Sequence, residues 1–297
     1  MCVTCGCSED NPVTLTHLQP GTTTSLDGGE HTHLLPDGSV VTHSHDGAHF
    51  HQHQAEDKLA VAQFHASVQG ARAHGSTIEL EHKILAKNDL IAAQNRDWLK
   101  NRHIVALNLV SSPGAGKTTL LTRTIADLQD QMAIAVIEGD QETAKDAERI
   151  KATGCPVVQV NTGTGCHLEA NMVQQGLQSL NPPDHSLLMI ENVGNLVCPA
   201  LFDLGEQAKV VILSVTEGED KPVKYPHMFK ASQVMILTKV DLLPYVNFDV
   251  DRCIAYARQV NPAIQIFQIS ATSGEGLPQW YEWLRCLLGT CLKIKSP

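Results

Sequence analysis

The sequence predicts an α/β fold in which a mostly parallel sheet carries helices on both faces. Two observations support this prediction: the length of 297 residues, and a regular alternation of short apolar runs with amphipathic stretches along the chain. That length accommodates one complete α/β domain with an appendage. Alternating strands and helices are typical of parallel sheets, whose ligands bind outside the carboxyl ends of the strands. The loops after the apolar runs are therefore where chemistry is expected.

The elements follow from the spacing of apolar residues. The predicted strands are residues 104–110, 133–137, 157–160, 187–190, 210–215, 234–237 and 264–269. The predicted helices between them are residues 117–130, 142–153, 168–180, 249–260 and 277–288. Helical spacing over residues 59–99, interrupted at Gly75, predicts two further helices that lead into this domain.

The N-terminal segment differs from the rest of the chain. Residues 1–57 hold three of the nine cysteines and eight of the fifteen histidines, with few large apolar residues. Such a segment buries little core and is expected to be a flexible, metal-binding tail. A cloning tag is the alternative, but tags are contiguous histidine runs, whereas these histidines alternate with other residues. The predicted organisation is a Cys/His-rich tail (1–57), N-terminal helices (58–100) and a nucleotide-binding domain (101–292).

Composition restricts the partners. The formal net charge is -10, with no basic cluster, so nucleic acid and anionic membrane surfaces are poor partners. No apolar run approaches the ~20 residues of a membrane span, and the N-terminus lacks the pattern of a signal peptide. We therefore expect a soluble, cytoplasmic protein whose cysteines are thiols or metal ligands.

A phosphate-binding loop follows the first predicted strand. Residues 111–119 read Ser-Ser-Pro-Gly-Ala-Gly-Lys-Thr-Thr, between a strand and a helix, as a Walker A loop requires. Backbone amides and the helix N-terminus attract phosphate, Lys117 reaches the β- and γ-phosphate oxygens, and Thr118 holds Mg²⁺. Ser111 stands where the consensus has glycine. The predicted phosphate-binding residues are Gly114, Ala115, Gly116, Lys117, Thr118 and Thr119.

Carboxylates for Mg²⁺ and for the attacking water are expected at two other strand ends. Asp140 follows the second predicted strand and Glu191 follows the fourth. Capping of a following helix is the alternative role for each acid. With Lys117 they form the predicted catalytic set, and with Thr118 they form the predicted Mg²⁺ ligands. Gly194, after Glu191, allows a backbone amide to approach the γ-phosphate and to act as a switch.

A guanine-binding segment is predicted at the end of a later strand. Lys239 and Asp241 match the Lys-x-Asp part of the Asn-Lys-x-Asp pattern, in which the Asp accepts two hydrogen bonds that only guanine donates. Ser270 and Ala271 end a further strand and resemble the loop whose amides face the guanine O6. Thr238 replaces the usual Asn, so an ATPase with relaxed base choice stays open as an alternative.

Two groups of side chains are candidate sites for transition metals. Cys2, Cys5 and Cys7 place three thiols within six residues, and with a nitrogen ligand they suit square-planar Ni²⁺. Zn²⁺ or Cu⁺ is also compatible, and a redox pair is the alternative. In the domain, Cys166 and His167 are adjacent and Cys198 follows the Glu191 segment. Two copies of Cys166 and His167 across a dimer would complete a metal shell, whereas buried structural side chains are the alternative.

Several of these segments together resemble the HypB family of nickel-insertion GTPases, in the SIMIBI class of P-loop proteins. The matching segments are residues 2–7, the His-rich stretch, and residues 111–118, 138–140, 164–167, 191–198 and 239–241. The urease GTPase UreG is a related alternative, but it has Cys-Pro-His where this chain has Cys198-Pro-Ala, and it lacks the Cys-rich start. The resemblance covers nearly the whole chain.

The resemblance implies a cytoplasmic GTPase that hydrolyses GTP to GDP slowly and forms a GTP-dependent homodimer. Its implied partners are a HypA-type metallochaperone and the precursor of the [NiFe]-hydrogenase large subunit. Its implied cofactors are GTP/GDP, Mg²⁺, Ni²⁺ and Zn²⁺. A weak metal site at the dimer interface maps to Cys166, His167 and Cys198, and a tight nickel site maps to Cys2, Cys5 and Cys7. A nickel or zinc storage protein whose nucleotide domain controls dimer assembly is the competing function.

Overall fold

The computed structural model describes residues 14–18, 31–34, 40–43, 73–140 and 145–289, with side chains from residue 83 onward. The chain divides into a unit of residues 1–20 and 81–297 and a unit of residues 21–80. In the smaller unit, β2 (His31–Leu34) and β3 (Val40–His43) pair antiparallel. Most of the predicted Cys/His-rich tail lies outside the described residues.

The larger unit contains the remaining described strands and, apart from its first turns, the long N-terminal helix. The strands are β1 (Thr14–Leu18), β4 (Val105–Ser111), β5 (Ile134–Asp140), β6 (Val157–Asn161), β7 (Leu187–Glu191), β8 (Ala208–Ser214), β9 (Val234–Thr238) and β10 (Gln265–Ile269). The helices are α1 (Ala73–Asn101), α2 (Lys117–Leu128), α3 (Lys145–Lys151), α4 (Ala170–Leu180), α5 (Lys221–Lys224), α6 (Pro226–Ala231), α7 (Val250–Val260) and α8 (Leu277–Leu287). Two 3₁₀ turns span Cys198–Ala200 and Val240–Tyr245.

The sheet has the order β1-β6-β5-β7-β4-β8-β9-β10. Strands β4 to β10 are all parallel, and β1 adds an antiparallel edge next to β6. This confirms the predicted α/β fold with a mostly parallel sheet. Because β4 lies between β7 and β8, the loop after β4 has the ends of both neighbours beside it. The phosphate loop is thereby placed at the centre of the carboxyl edge.

Helices cover both faces of the sheet, as the alternating side chains of β4 show. Val105, Leu107 and Leu109 face one side, where they belong to a core with α2 and α8. Ala106, with Ile104 just before the strand, faces the other side, in a core with α1 and α4. A third core joins β8 and β9 to α6 and α7. Strands buried on both faces are continuous apolar runs, and this explains why the sequence signal was clear.

All seven predicted strands and the five predicted domain helices are confirmed, with shifted ends. Strand β5 continues three residues beyond its last apolar position, to Asp140, because the Glu138-Gly-Asp segment stays in register with β6. Helix α4 starts at Ala170, two residues later than predicted. Helix α1 begins at Ala73, so Gly75 lies in its first turn, and the preceding predicted helix falls outside the described residues. The short helices α5 and α6 were not predicted.

None of the helices in the described residues combines the length and the apolar composition that crossing a membrane requires.

Candidate functional site: a nucleotide cavity beside a metal-ligand cluster

The phosphate loop connects β4 to the first residue of α2. Gly114 and Gly116 have φ angles of +76° and +98°, the left-handed region in which a side chain is strained. Glycine at these positions lets the loop wrap tightly and start α2 at Lys117. The first backbone N–H groups of a helix have no intrahelical partners, and the helix dipole makes this end of α2 a favourable place for anions.

Lys117 is held in place by the residue that departs from the consensus. Its Nζ donates a hydrogen bond of 2.9 Å to Oγ of Ser111. Burial lowers the pKa of Lys117, opposed by the charge of Glu191. Ser111 therefore supplies a polar contact for a partly buried ammonium group that would otherwise be costly to desolvate.

An oxygen-rich corner lies beside the phosphate loop. Oγ1 of Thr118 donates to Oε1 of Glu191 at 2.7 Å, because β7 pairs with β4 and ends next to the loop. Within the described residues, Oε2 of Glu191 has no hydrogen-bond partner. Burial raises the pKa of Glu191 to about 7, against the effects of Lys117 and Thr118. A hydroxyl with a buried, half-satisfied carboxylate is the hard oxygen donor set that Mg²⁺ takes.

A second buried acid adjoins this corner. Glu138 on β5 is in register with Glu191 and is 2% exposed, and within the described residues its Oε2 also lacks a partner. Burial and the neighbouring carboxylates of Glu191 and Asp140 raise the pKa of Glu138 to about 9. A divalent cation would relieve this repulsion, so the residues present fit a Mg²⁺ ion.

A cavity of about 470 Å³ covers the loop and the oxygen-rich corner. The predicted residues that line it are Gly114, Gly116, Lys117, Thr118, Thr119, Asp140, Glu191, Gly194 and Lys239. Asp146 and Arg149 of α3 also line it, and Arg149 lies 3.2 Å from Oγ1 of Thr119. Sequence reasoning missed this pair, because single charges on a short helix are common on any surface.

The predicted base-binding segment is tied directly to the phosphate loop. Oγ1 of Thr238 donates to the carbonyl oxygen of Ala115 at 2.7 Å, and Nζ of Lys239 donates to that of Gly114 at 2.8 Å. Thr238, which replaces the usual Asn, therefore joins the two segments from a 4% exposed position. Asp241 lies two residues beyond Lys239, in the 3₁₀ turn.

The predicted serine–alanine loop ends the neighbouring strand. Ile269 pairs with Thr238, so Ser270 follows at the same edge of the sheet as Lys239. Ser270 is buried, and the carbonyl oxygen of Ala271 accepts a hydrogen bond of 3.1 Å from Arg123 on α2. Asp241, Ser270 and Ala271 lie outside the lining of the cavity described above, and their role in base binding stays a prediction.

Cys166, His167 and Cys198 form one cluster within a single chain. Their candidate ligand atoms all lie within 4.8 Å of one another. The two Sγ atoms are 3.2 Å apart, within sulfur hydrogen-bond distance and longer than the ~2.05 Å of a disulfide, so the two cysteines are not disulfide-bonded. Two thiols and one imidazole are typical ligands of zinc and of other borderline metals. The structure thus unites three residues that lie up to 32 positions apart in sequence.

The buried surroundings of His167 favour the neutral form of its imidazole. It is 4% exposed, and its ring packs on Phe202 with centroids 4.1 Å apart. Burial lowers the pKa of His167 to about 4, so the imidazole is neutral near pH 7. Its Nε2 lies 3.7 Å from Oε1 of Glu169, beyond hydrogen-bond distance, and within the described residues it has no hydrogen-bond partner. The sequence analysis did not identify Phe202, because a ring contact between residues far apart in the chain produces no recognisable sequence pattern.

Neighbouring residues connect the two sites. Asn192 directly follows Glu191, is 1% exposed, and accepts a hydrogen bond of 3.1 Å at Oδ1 from the backbone N–H of Leu168. Asn195, three residues on, donates to the carbonyl oxygen of Cys166 at 3.3 Å. One short segment therefore contacts Thr118 of the phosphate site at one end and the loop of Cys166 and His167 at the other.

Other predicted metal ligands and cysteines have different outcomes. Cys2, Cys5 and Cys7, with the His-rich tract, lie outside the described residues, so the N-terminal metal site stays a prediction. Cys155 and Cys253 are buried, and burial raises the pKa of each to about 12. Both are therefore small core residues.

A glycine-containing loop joins a central strand to the N-terminus of a helix, and an oxygen-rich corner lies beside that loop. These features define a P-loop nucleotide-binding protein. Residues 105–268 match the model of the family described as "CobW/HypB/UreG, nucleotide-binding domain". The chain belongs to this family, and within it to the HypB hydrogenase maturation factors.

The assignment to HypB rests on curated relatives and on solved structures. The chain is 61% identical to hydrogenase maturation factor HypB of Escherichia coli K12, over 70% of this chain and 71% of that protein. It is 44% identical to HypB of Cupriavidus necator, over 96% and 88% respectively. The structure of Helicobacter pylori HypB, described as in complex with nickel, is similar with a TM-score of 0.64 and 36% identity. That match covers 71% of this chain and 100% of that chain.

Proposed function

We propose that the protein is a GTPase that uses GTP binding and hydrolysis to control nickel held by Cys166, His167 and Cys198 during [NiFe]-hydrogenase maturation. The observation that carries the proposal is the adjacent pair Glu191 and Asn192. Glu191 bonds Thr118 of the phosphate site, and Asn192 bonds the backbone of Leu168, next to His167. A displacement of Glu191 and Asn192 on nucleotide binding would therefore be passed to the backbone of Leu168, which is the residue next to the metal ligand His167. The names of the curated relatives and the nickel in the H. pylori structure support the same function.

The hydrolytic chemistry is assigned to residues of the cavity. The amides of the phosphate loop and Lys117 bind the β- and γ-phosphates, and they stabilise the charge that develops during transfer. A bound Mg²⁺ supplies further neutralisation at the phosphate oxygens. Thr118 and Glu191 hold that ion, and Asp140 orients water at the edge of the cavity. Such sites work by positioning and by electrostatics rather than by covalent chemistry.

Nickel is the cargo in this proposal. A single chain supplies two thiols and one imidazole, so a fourth position stays open for water, for a ligand of a second copy or for a recipient. A GTP-dependent homodimer brings two such clusters together. The cargo passes between a HypA-type metallochaperone and the hydrogenase large subunit precursor in the cytoplasm, and Cys2, Cys5 and Cys7 form a further nickel site. Zn²⁺ suits the same ligands.

Base selectivity is expected to depend on Asp241. In Asp241→Ala the guanine loses its carboxylate acceptor, and a hydrogen bond to a charged group contributes about 1.5–3 kcal/mol. GTP affinity should fall about 10- to 150-fold, and ATP affinity should change little, as measured by competition against a fluorescent guanine nucleotide. Asp251→Ala, an exposed acid on α7, is the matched control. Equal losses for GTP and ATP would contradict guanine recognition by Asp241.

Coupling between nucleotide and nickel is the direct test of the proposed function. Full-length protein is titrated with Ni²⁺ against a competing chelator, once with GDP and once with a non-hydrolysable GTP analogue, and dimer content is recorded. We expect the affinities to differ by about 5- to 150-fold, the range of ordinary allosteric coupling. Val197→Ala, an exposed neighbour of Cys198, should retain that difference.

The competing storage function predicts another outcome of the same titration. If nickel affinity is equal in the two nucleotide states, the metal ligands are independent of the nucleotide cavity. Storage by the His-rich segment would then be the better account, and deletion of residues 1–57 would remove most bound nickel. A delivery GTPase should keep its nucleotide-dependent site after that deletion.

A further inference from the structure

Two buried asparagines of α1 lie where the backbones of two distant loops meet. Asn88 is 5% exposed and Asn95 is 2% exposed, although they lie on a helix whose outer face is solvated. They are separated by seven residues, or two turns, and therefore share one face of α1. Burying an amide side chain requires hydrogen-bond partners. In both cases these partners are backbone groups of the same two segments.

Each asparagine bridges the N-terminus of α4 to the loop before β8. Asn88 accepts at Oδ1 from the N–H of Ala170 at 2.9 Å and donates from Nδ2 to the carbonyl oxygen of Asp203 at 2.8 Å. Asn95 donates from Nδ2 to the carbonyl oxygens of Ala170 at 2.8 Å and of Leu204 at 3.0 Å. Ala170 thus has both backbone groups satisfied by α1.

These two segments carry the metal ligands and their packing partner. Ala170 lies three residues after His167, at the first position of α4. Leu204 lies two residues after Phe202, whose ring packs on the ring of His167. Phe202 follows the Cys198–Ala200 turn. Its carbonyl oxygen accepts a hydrogen bond of 3.1 Å from Nζ of the buried Lys209. The separation of the two segments therefore sets the distance between His167 and the Cys198 turn.

The contact between α1 and the second loop is close and specific. Gly205 has φ of +92°, and a Cβ at this position would lie 2.7 Å from the carbonyl oxygen of Ala92. Arg96 reaches both carboxylate oxygens of Asp203 at 2.7 Å. Packing of this kind leaves the loop little freedom to move away from α1.

We propose that Asn88 and Asn95 are positioning residues of the metal centre, which fix the spacing between the Cys166–His167 loop and the Cys198–Phe202 loop. The inference rests on the proposed function, because it assumes that the side chains of Cys166, His167 and Cys198 bind nickel. It assigns to α1, an element outside the nucleotide cavity, control over the geometry of the cluster. Among the described residues, the hydrogen bonds of both asparagines go to the backbone of Ala170, Asp203 and Leu204, so each acts through the backbone that carries the ligands.

The test is nickel binding by Asn95→Ala in a full-length parent that carries Cys2→Ser, Cys5→Ser and Cys7→Ser. In this parent, thiolate-to-nickel absorption that disappears in Cys198→Ser reports on the cluster. We expect Asn95→Ala to weaken the Ni²⁺ affinity of this site about 10- to 100-fold, as loss of outer-shell support does. The absorption spectrum should shift as well, whereas GTP hydrolysis without nickel should keep the rate of the parent.

Gln94→Ala is the matched control. Gln94 is an exposed neighbour that also joins α1 to α4, through Gln174 at 3.3 Å, but it does not contact the second loop. It should leave nickel affinity and spectrum unchanged. If Asn95→Ala does not fold, Asn88→Ser is measured with the same expectation.

Unchanged affinity and spectrum in the folded asparagine variant would overturn the inference while leaving the proposed function intact. A parent without Cys198-dependent absorption would overturn the proposed metal centre itself, and the inference with it. The two failures are therefore distinguishable by the parent alone.

Discussion

Replacing Lys117 by alanine should reduce GTP hydrolysis at least about 100-fold, because the loss of one group that stabilises transition-state charge costs about 10²- to 10³-fold. The structure supports this size of effect. Lys117 is the ammonium group at the first position of α2, directly after the phosphate loop, and burial already lowers its pKa, so surrounding water compensates little for its loss. Steady-state phosphate release, measured at saturating GTP and Mg²⁺, is the readout.

The control for this substitution is Lys230→Ala. Lys230 is exposed on α6, and it does not line the cavity. It should hydrolyse GTP at the rate of the unchanged protein. A Lys117→Ala protein that melts normally and retains hydrolysis within a few-fold would contradict the catalytic assignment of the cavity, whatever the metal cluster does.

The nucleotide site was largely predictable, because its chemistry is local. The phosphate loop occupies consecutive residues between a strand and a helix, so its glycines and Lys117 are recognisable in one short window. Glu191 and Asp140, which line the cavity, were predicted because acids at strand ends must meet at one edge of a parallel sheet. The role of Thr238 was not visible, since its bond to Ala115 joins residues 123 positions apart.

The metal cluster was predicted in its residues but not in its support. Cys166 and His167 stand out as neighbours, yet only the fold brings Cys198 within 3.2 Å of Cys166. Phe202, Asn88 and Asn95 had no recognisable spacing relative to these ligands. Their contribution depends on which backbone groups α1 and the β7–β8 connection bring together. A buried asparagine in a helix pattern reads as an interruption of the apolar face until its partners are known.

Cys198→Ser should weaken nickel binding at the cluster by more than the 10- to 100-fold that loss of an outer-shell contact costs, because a thiolate ligand itself is removed. Serine has nearly the same shape, and Cys198 is only partly buried, so the fold should be retained. The affinity is measured by chelator competition in the parent that carries serine at positions 2, 5 and 7. Val197→Ala again serves as the neighbouring control.

The same variant separates nickel binding from the GTPase cycle. Coupling between two sites is reciprocal, so a nucleotide that changes nickel affinity requires nickel to change nucleotide affinity by the same factor. In Cys198→Ser the cavity residues are untouched, and hydrolysis without nickel should be normal, but addition of Ni²⁺ should no longer alter affinity for the GTP analogue. If nickel still altered that affinity to the same extent, its effect would arise from other ligands. The link from Glu191 through Asn192 to the cluster would then not transmit it.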